Sequence, residues 1–170
     1  MNNNYQHISH DSIEPFISHN SKILILGSFP SVKTRELGFY YGHPQNRFYK
    51  VISKIYEEDI PISIEEKKVL LDKHHIALYD VINECDIIGS SDSSIKNVVP
   101  INIKDILDRY PNITTIILNG SLARSLFDKY LLKDIDNKSV SIRYCPSTSP
   151  ANAKMTLLGL IEVYKCALCQ

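Results

Sequence analysis

Runs of consecutive apolar residues alternate along this chain with stretches in which apolar residues return every three or four positions. The runs "KILILG" (Lys22 to Gly27), "HIALYDVI" (His75 to Ile82), "ITTIILNG" (Ile113 to Gly120) and "SVSIRYCP" (Ser139 to Pro146) are short, rich in β-branched residues and closed by Gly, Pro or polar residues, so four strands are predicted. The first and third are apolar throughout, as parallel strands covered on both faces are, whereas the fourth alternates as an edge does. Helical spacing fills the gaps. Phe48, Val51, Ile52 and Ile55 share a face of "NRFYKVISKIYEED", Ile103, Ile106 and Leu107 a face of "PINIKDILDRYP", and Leu122, Leu126, Phe127 and Leu131 a face of "SLARSLFDKYLL". A last helix is expected after Pro150, running through "KMTLLGLIEVYKCAL".

Strand, helix and strand in repeated order predict an α/β layer structure around a mainly parallel four-stranded sheet, where ligands bind at the carboxyl ends of the strands. No linker, repeat or low-complexity tract divides the chain. Residues 1–170 are expected to form one domain, with 1–20 partly frayed and Ile87 to Asn97 a Ser-rich loop.

Composition narrows the partners. A hydrophobic content of 44% over 170 residues fills one sizeable core. Lys plus Arg and Asp plus Glu balance at 19 each, so any polyanion must be met by a local patch rather than by a whole-protein field. Neither an 18-residue apolar stretch nor a basic N-terminus before an apolar core is present, so neither a spanning helix nor a signal peptide fits, and a cytoplasmic protein with no membrane partner is expected. Cys85, Cys145, Cys166 and Cys169 are too few and scattered for a disulfide framework. The "CALC" at the C-terminus has half the spacing of a metal site without a second ligand pair, so no metal or cofactor is expected.

Chemistry should then sit in the four loops at the strand ends. The first, "GSFPS" followed by "YYGHPQN", has Gly27 for a tight turn and Pro30 to stiffen the exit, without the spacing of a dinucleotide fingerprint or a P-loop. Tyr40 and Tyr41 can form a stacking wall or fold back on the core; His43 can be a base or a hydrogen-bonding post; Asn46 can fix a water or cap the helix that follows. Asp80, at the second strand end, can accept from a ring N–H or bind a neighbouring amide. Asn119 and Gly120 precede a helix in a turn with Ser121 as cap. The fourth loop, "CPSTSPANAK", is rigid and rich in small donors, which suits contact with phosphate oxygens.

Taken in order, "GSFPS…YYGHPQNRFYKVI", "ALYDVINECDIIGSSDSSI", "IILNGSLARSLF" and "CPSTSPANA" resemble the uracil-DNA glycosylase superfamily, and within it the hypoxanthine-DNA (deoxyinosine) glycosylase branch. The resemblance runs from about Lys22 to the C-terminus. It implies a three-layer α/β/α sandwich, DNA containing a deaminated base as the partner, and hydrolysis of an N-glycosidic bond to leave an abasic site. It assigns Asn46 the water-orienting role. Ser28 and Phe29 stand at the turn where uracil-type members carry an activating side chain, so Ser28 is the second catalytic candidate and Phe29 a base contact. Tyr41 takes the position of the stacking aromatic and Asp80 that of the base-reading residue, with His43 and Asn119 as further base contacts. The last motif implies DNA contacts by Ser147, Thr148, Ser149, Asn152 and Lys154, joined by Arg47; Cys145 stands where some relatives carry a catalytic histidine. A monomer is the simplest expectation. Removal of uracil is the first alternative, a non-catalytic nucleic-acid binder of the same fold the second, and a generic phosphate hydrolase the third, disfavoured by the lack of a carboxylate cluster.

Overall fold

The computed structural model describes residues 4–136 and 138–169. Along the chain stand β1 (Gln6–Ser9), β2 (Ile23–Gly27), α1 (Val32–Leu37), α2 (Phe48–Tyr56), α3 (Ile64–Lys73), β3 (Ile76–Asp80), β4 (Ile82–Ile87), β5 (Lys96–Pro100), α4 (Ile103–Arg109), β6 (Thr115–Asn119), α5 (Ser121–Tyr130), β7 (Ser141–Cys145) and α6 (Leu157–Leu168). The four apolar runs do form one parallel sheet, ordered β3-β2-β6-β7. The two strands that read as apolar throughout, β2 and β6, are central, with Leu24, Ile25, Leu26, Ile116, Ile117 and Leu118 fully buried, and β7 is an edge.

The chain steps from β2 to β3 in one direction, then back past β2 to β6 and on to β7. With strands in this order, the right-handed crossover rule puts the helices of the β2–β3 connection on one face and those of the β3–β6 and β6–β7 connections on the other, giving three layers. The apolar stripe of α2 seats Phe48, Val51 and Ile52 in the core, and α6 lies against α2 and β7. Register sets the site: Gly27 pairs with Asp80, Leu26 with Leu118, and Asn119 with Cys145, so four chemically distinct residues end level at the carboxyl edge.

Three expectations are corrected. "HIALYDVI" is not one strand: Val81 turns the chain, donating to the Gly27 carbonyl and accepting from Ile101, and β4 joins a second, antiparallel sheet ordered β1-β4-β5. Charged Glu84 and Asp86 on β4 hid this strand, whose Ile82, Cys85 and Ile87 form a separate small core. Fraying over 1–20 falls partly on residues 1–3, outside the described residues; from β1 onward the segment is a strap, paired to β4 and bridged by Phe16 to Leu78, which covers the edge of β3. The last helix begins at Leu157, capped by Thr156, and not directly after Pro150, because the intervening residues are held by side-chain bonds described below.

Candidate active site

At the carboxyl ends of the parallel strands lies a cavity of about 350 Å³ into which all four strand-end loops open. Asn46, Ser28, Phe29, Tyr41, His43, Asp80 and Asn119 line it, as do Ser147, Thr148 and Ser149. Arg47, Asn152 and Lys154 do not. The hairpin between β4 and β5 closes another side with Ile87, Ser90 and Asp92, tied down where Val32 N–H donates to Ser90 Oγ at 3.0 Å.

The floor is built around a close approach. A Cβ on Gly27 would stand 2.5 Å from Asp80 Oδ1 and 3.6 Å from the Tyr41 hydroxyl, so only glycine lets the carboxylate sit there. Asp80 is buried, and its Oδ2 meets Nε2 of His10 at 2.8 Å, while Oδ1 accepts from no other group among the described residues. Nδ1 of His10 lies 2.6 Å from the carbonyl of Ile13. Burial alone would lower the histidine, but the hydrogen bond and charge of Asp80 and the Ile13 carbonyl outweigh it and raise it above its ordinary value. The sign of the linkage follows. The stability this pair contributes is complete below the unfolded-state value of about 6.5 and is lost as pH rises through the raised folded value. Urea midpoints of the native protein are therefore expected to fall as pH climbs through that range, and to lose this fall in His10→Gln; equal pH slopes would contradict the pairing.

Tyr40 and Tyr41 both pack against the core, Tyr41 at the edge of the cavity. Tyr40 folds back into the core and donates to the Glu14 carbonyl at 3.1 Å. Tyr41 takes a left-handed backbone at φ 53°, stacks one face on Phe48 at 4.1 Å, and leaves its buried hydroxyl, beside the Asn119 amide, without a well-formed hydrogen bond among the described residues. Burial keeps this phenol protonated well above its ordinary range, so it is a donor.

Asn46 proves to be a cap: its Oδ1 accepts from Phe48 N–H at 2.9 Å. The cap fixes the amide and leaves the second lone pair of Oδ1, and Nδ2, for the cavity. His43 Nδ1 accepts from Gln45 N–H at 3.1 Å, which leaves Nε2 as the protonated nitrogen. Asn119 does not face a base first. It clasps Thr148 twice, its Nδ2 donating to Oγ1 and its Oδ1 accepting from the backbone N–H, both at 3.1 Å.

Three expected DNA contacts are corrected. Thr148 is fully buried by that clasp, so its side chain cannot meet a phosphate. Arg47 spends its guanidinium on the protein itself, donating to the carbonyls of Thr148, Ser149, Asn152 and Met155. It is an internal staple for the last loop, aided by Asn152 Nδ2 on the Ser147 carbonyl at 3.0 Å. Arg47→Met is expected to cost about 2–3 kcal/mol, since charged donors are lost from carbonyls that water only partly resolvates, and to open residues 147–155 to proteolysis. An unchanged urea midpoint with the loop still resistant would refute the staple. Ser147, Ser149 and exposed Lys154 remain as donors on this loop. Cys145 is buried and its thiol is pushed up to about 12, so no thiolate replaces the histidine some relatives carry.

Two residues escaped the sequence reading. His10 lies in the strap expected to fray, where "YQHIS" carries no strand periodicity. Asp92, exposed at the cavity mouth, has its carboxyl raised by partial desolvation, and nothing distinguished it within the Ser-rich loop. Among the described residues, no group of three His, Cys, Asp or Glu gathers as a metal site would, and no helix is long and apolar enough to cross a membrane.

No family model matches the chain. It is 33% identical over 107 residues to a protein of Methanosarcina barkeri (strain Fusaro / DSM 804) named hypoxanthine DNA glycosylase, an alignment spanning 62% of this chain and 68% of the relative. It is 30% identical over 141 residues to a protein of the same name from Methanosarcina acetivorans, spanning 82% and 86%. The solution NMR structure of a candidate uracil DNA glycosylase from Methanosarcina acetivorans superposes with a TM-score of 0.76 at 26% identity, over 91% of this chain and 96% of that one.

Proposed function

The chain belongs to the hypoxanthine DNA glycosylases of the uracil-DNA glycosylase superfamily, and from that premise we propose that it draws hypoxanthine out of DNA into this cavity and hydrolyses its N-glycosidic bond. As a member it is a DNA glycosylase, an N-glycosyl hydrolase. The choice of base rests on one observation: an acceptor, Asp80 Oδ1, and an unpartnered donor, the Tyr41 hydroxyl, flank the same point beside Gly27. Hypoxanthine presents N1–H next to the O6 acceptor and completes both. Adenine reverses the pattern, with a lone pair at N1 and an amine at C6, and would leave both groups opposed. Uracil also places a ring N–H beside a carbonyl, which keeps it as a second reading. Against it, Ser28 and Phe29 fill the turn where uracil-type members carry an activating side chain, and about 350 Å³ admits a bicyclic base.

Flipping costs a few kcal/mol, least for a mispaired nucleotide, so selection begins before the chemistry. As the C1′–N9 bond breaks, its electron pair passes into the purine, the sugar gains oxocarbenium character, and water bonds to C1′ while its proton leaves to the base or to solvent. Asn46 Oδ1, fixed by its cap, holds one hydrogen of that water and turns the oxygen toward C1′. The Tyr41 hydroxyl, Nε2–H of His43 and the free amides of the Ser28 to Ser31 turn are donors for charge developing on the base. Phe29 walls the base, and Ser147, Ser149 and Lys154 meet phosphates on a loop that Arg47 and Asn119 hold rigid. Action as a monomer in the cytoplasm is the simplest reading, and four free thiols suit that reducing compartment.

With few cations at the rim, affinity for lesion-free duplex is expected to be modest and to fall steeply with salt, by about 0.9 logarithmic units per decade of salt for each phosphate neutralised. A flat salt profile would exclude groove binding. The reading itself is tested by single-turnover cleavage of duplexes holding one hypoxanthine, xanthine, uracil or adenine. Hypoxanthine should react fastest and adenine not at all. Faster loss of uracil would transfer the assignment to the second reading, and no base released from any duplex would reduce the fold to a binding module.

A further inference from the structure

Behind Asp80, on the side turned away from the base, stands an imidazole with no part in the reaction just described. His10 opens a single 3₁₀ turn (His10–Ser12) after β1 and is only 3% exposed. Both ring nitrogens face acceptors, the Ile13 carbonyl at 2.6 Å and Asp80 Oδ2 at 2.8 Å. A carbonyl can only accept, so Nδ1 carries a proton, and a second on Nε2 makes the ring a cation matched to the carboxylate. Tyr79 meets the ring edge-on at 4.8 Å, with Tyr40 at 6.0 Å and Phe29 at 6.2 Å, so it cannot turn away.

The surroundings leave Asp80 no other counter-ion. The hydroxyl-bearing rings of Tyr40, Tyr41 and Tyr79 face the pair, and Asp11, bonded from Ser9 Oγ at 2.5 Å, adds a further carboxylate nearby. Among the described residues no Lys or Arg forms an ion pair with Asp80. The strap that carries His10 is itself pinned by the Tyr40 hydroxyl on Glu14 and by the Phe16 bridge to Leu78.

We infer that His10 is a positioning residue for base selection: its imidazolium holds Asp80 in place through Oδ2, so that Oδ1 stays turned into the cavity as the acceptor for a purine N1–H. The inference rests on the proposed reading of the base by Asp80. It makes the N-terminal strap part of the specificity machinery, since without the cation a buried carboxylate would swing toward solvent. Raising the pH acts in the same direction: once Nε2 loses its proton, a lone pair confronts Oδ2 and the carboxylate is pushed from its place.

The test compares native protein, His10→Gln and Asp80→Asn in single-turnover release of hypoxanthine at saturating enzyme across pH 6 to about 9, a range spanning the ordinary histidine and hypoxanthine titrations, with melting temperature and affinity for lesion-free duplex measured on each. His10→Gln keeps a donor toward Asp80 without the charge. It should be at least tenfold slower at neutral pH, bind lesion-free duplex as the native protein does, and lack an alkaline fall present in the native profile; titration of the hypoxanthine itself is common to both. A native rate and profile in His10→Gln, with Asp80→Asn impaired, would overturn the role of His10 alone. A full rate in Asp80→Asn, or no hypoxanthine released by native protein, would overturn the base reading and the inference with it. Should His10→Gln not fold, ¹⁵N spectra of the native imidazole decide: two N–H groups at pH 7 support the inference, and a neutral ring in active protein refutes it.

Discussion

Asn46→Ser is expected to slow hypoxanthine release roughly 10²–10³-fold while leaving the melting temperature and DNA affinity close to native, because orientation of the attacking water is lost and little else. Serine caps a helix about as well as asparagine, so the bond to Phe48 N–H can be replaced, yet its shorter side chain cannot reach a water at C1′. Asn46→Ala should lose the same rate and, in addition, about 1 kcal/mol of stability with the cap. The pair of variants separates the two functions that one amide performs here. A serine variant that keeps native rates would confine Asn46 to the cap.

Asp80 carries the second large effect, and its variants should form a graded series. Asp80→Asn can keep every hydrogen bond if His10 becomes neutral and accepts from the new amide, so the fold should survive and only the charge assistance to N1–H is lost, about a tenfold fall in rate. Asp80→Ala removes the acceptor and strands a buried imidazole. We expect on the order of 10³-fold lower release of hypoxanthine and about 3–5 kcal/mol lower stability, read by urea midpoints at neutral pH. Equal rates for native and alanine forms would show that the base is read elsewhere.

The parallel sheet was legible because β2 and β6 are unbroken apolar runs that only double-sided burial explains, and the residues at their ends could then be read as neighbours before any contact was known. Ser63 with Glu66 forms a capping box, and Ser31 and Gly38 bracket α1, so α1 and α3 also had signals in the chain, though neither helix has a broad apolar face to draw attention. The antiparallel sheet was hidden for a different reason: Glu84 and Asp86 on β4 are partnered across the sheet by His7 and Asn97, and periodicity cannot see a partner. The same limit governs the site. Tyr41, His43, Asn46 and Asp80 were read from loop position, and Ser28 and Phe29 from the family resemblance, but whether an arginine faces a phosphate or four carbonyls of its own chain depends on long-range geometry, as Arg47 shows. His10 was missed because its meaning comes from a residue 70 positions away.

One measurement reaches the centre most directly: native protein and a duplex with one labelled deoxyinosine, in water enriched in ¹⁸O, with free base and sugar product analysed by mass. We expect free hypoxanthine without the label, an intact strand bearing an abasic site, and ¹⁸O at C1′ of that site. Hypoxanthine still joined to its sugar, whether in intact DNA or in a nicked strand, would contradict N-glycosidic hydrolysis by this cavity.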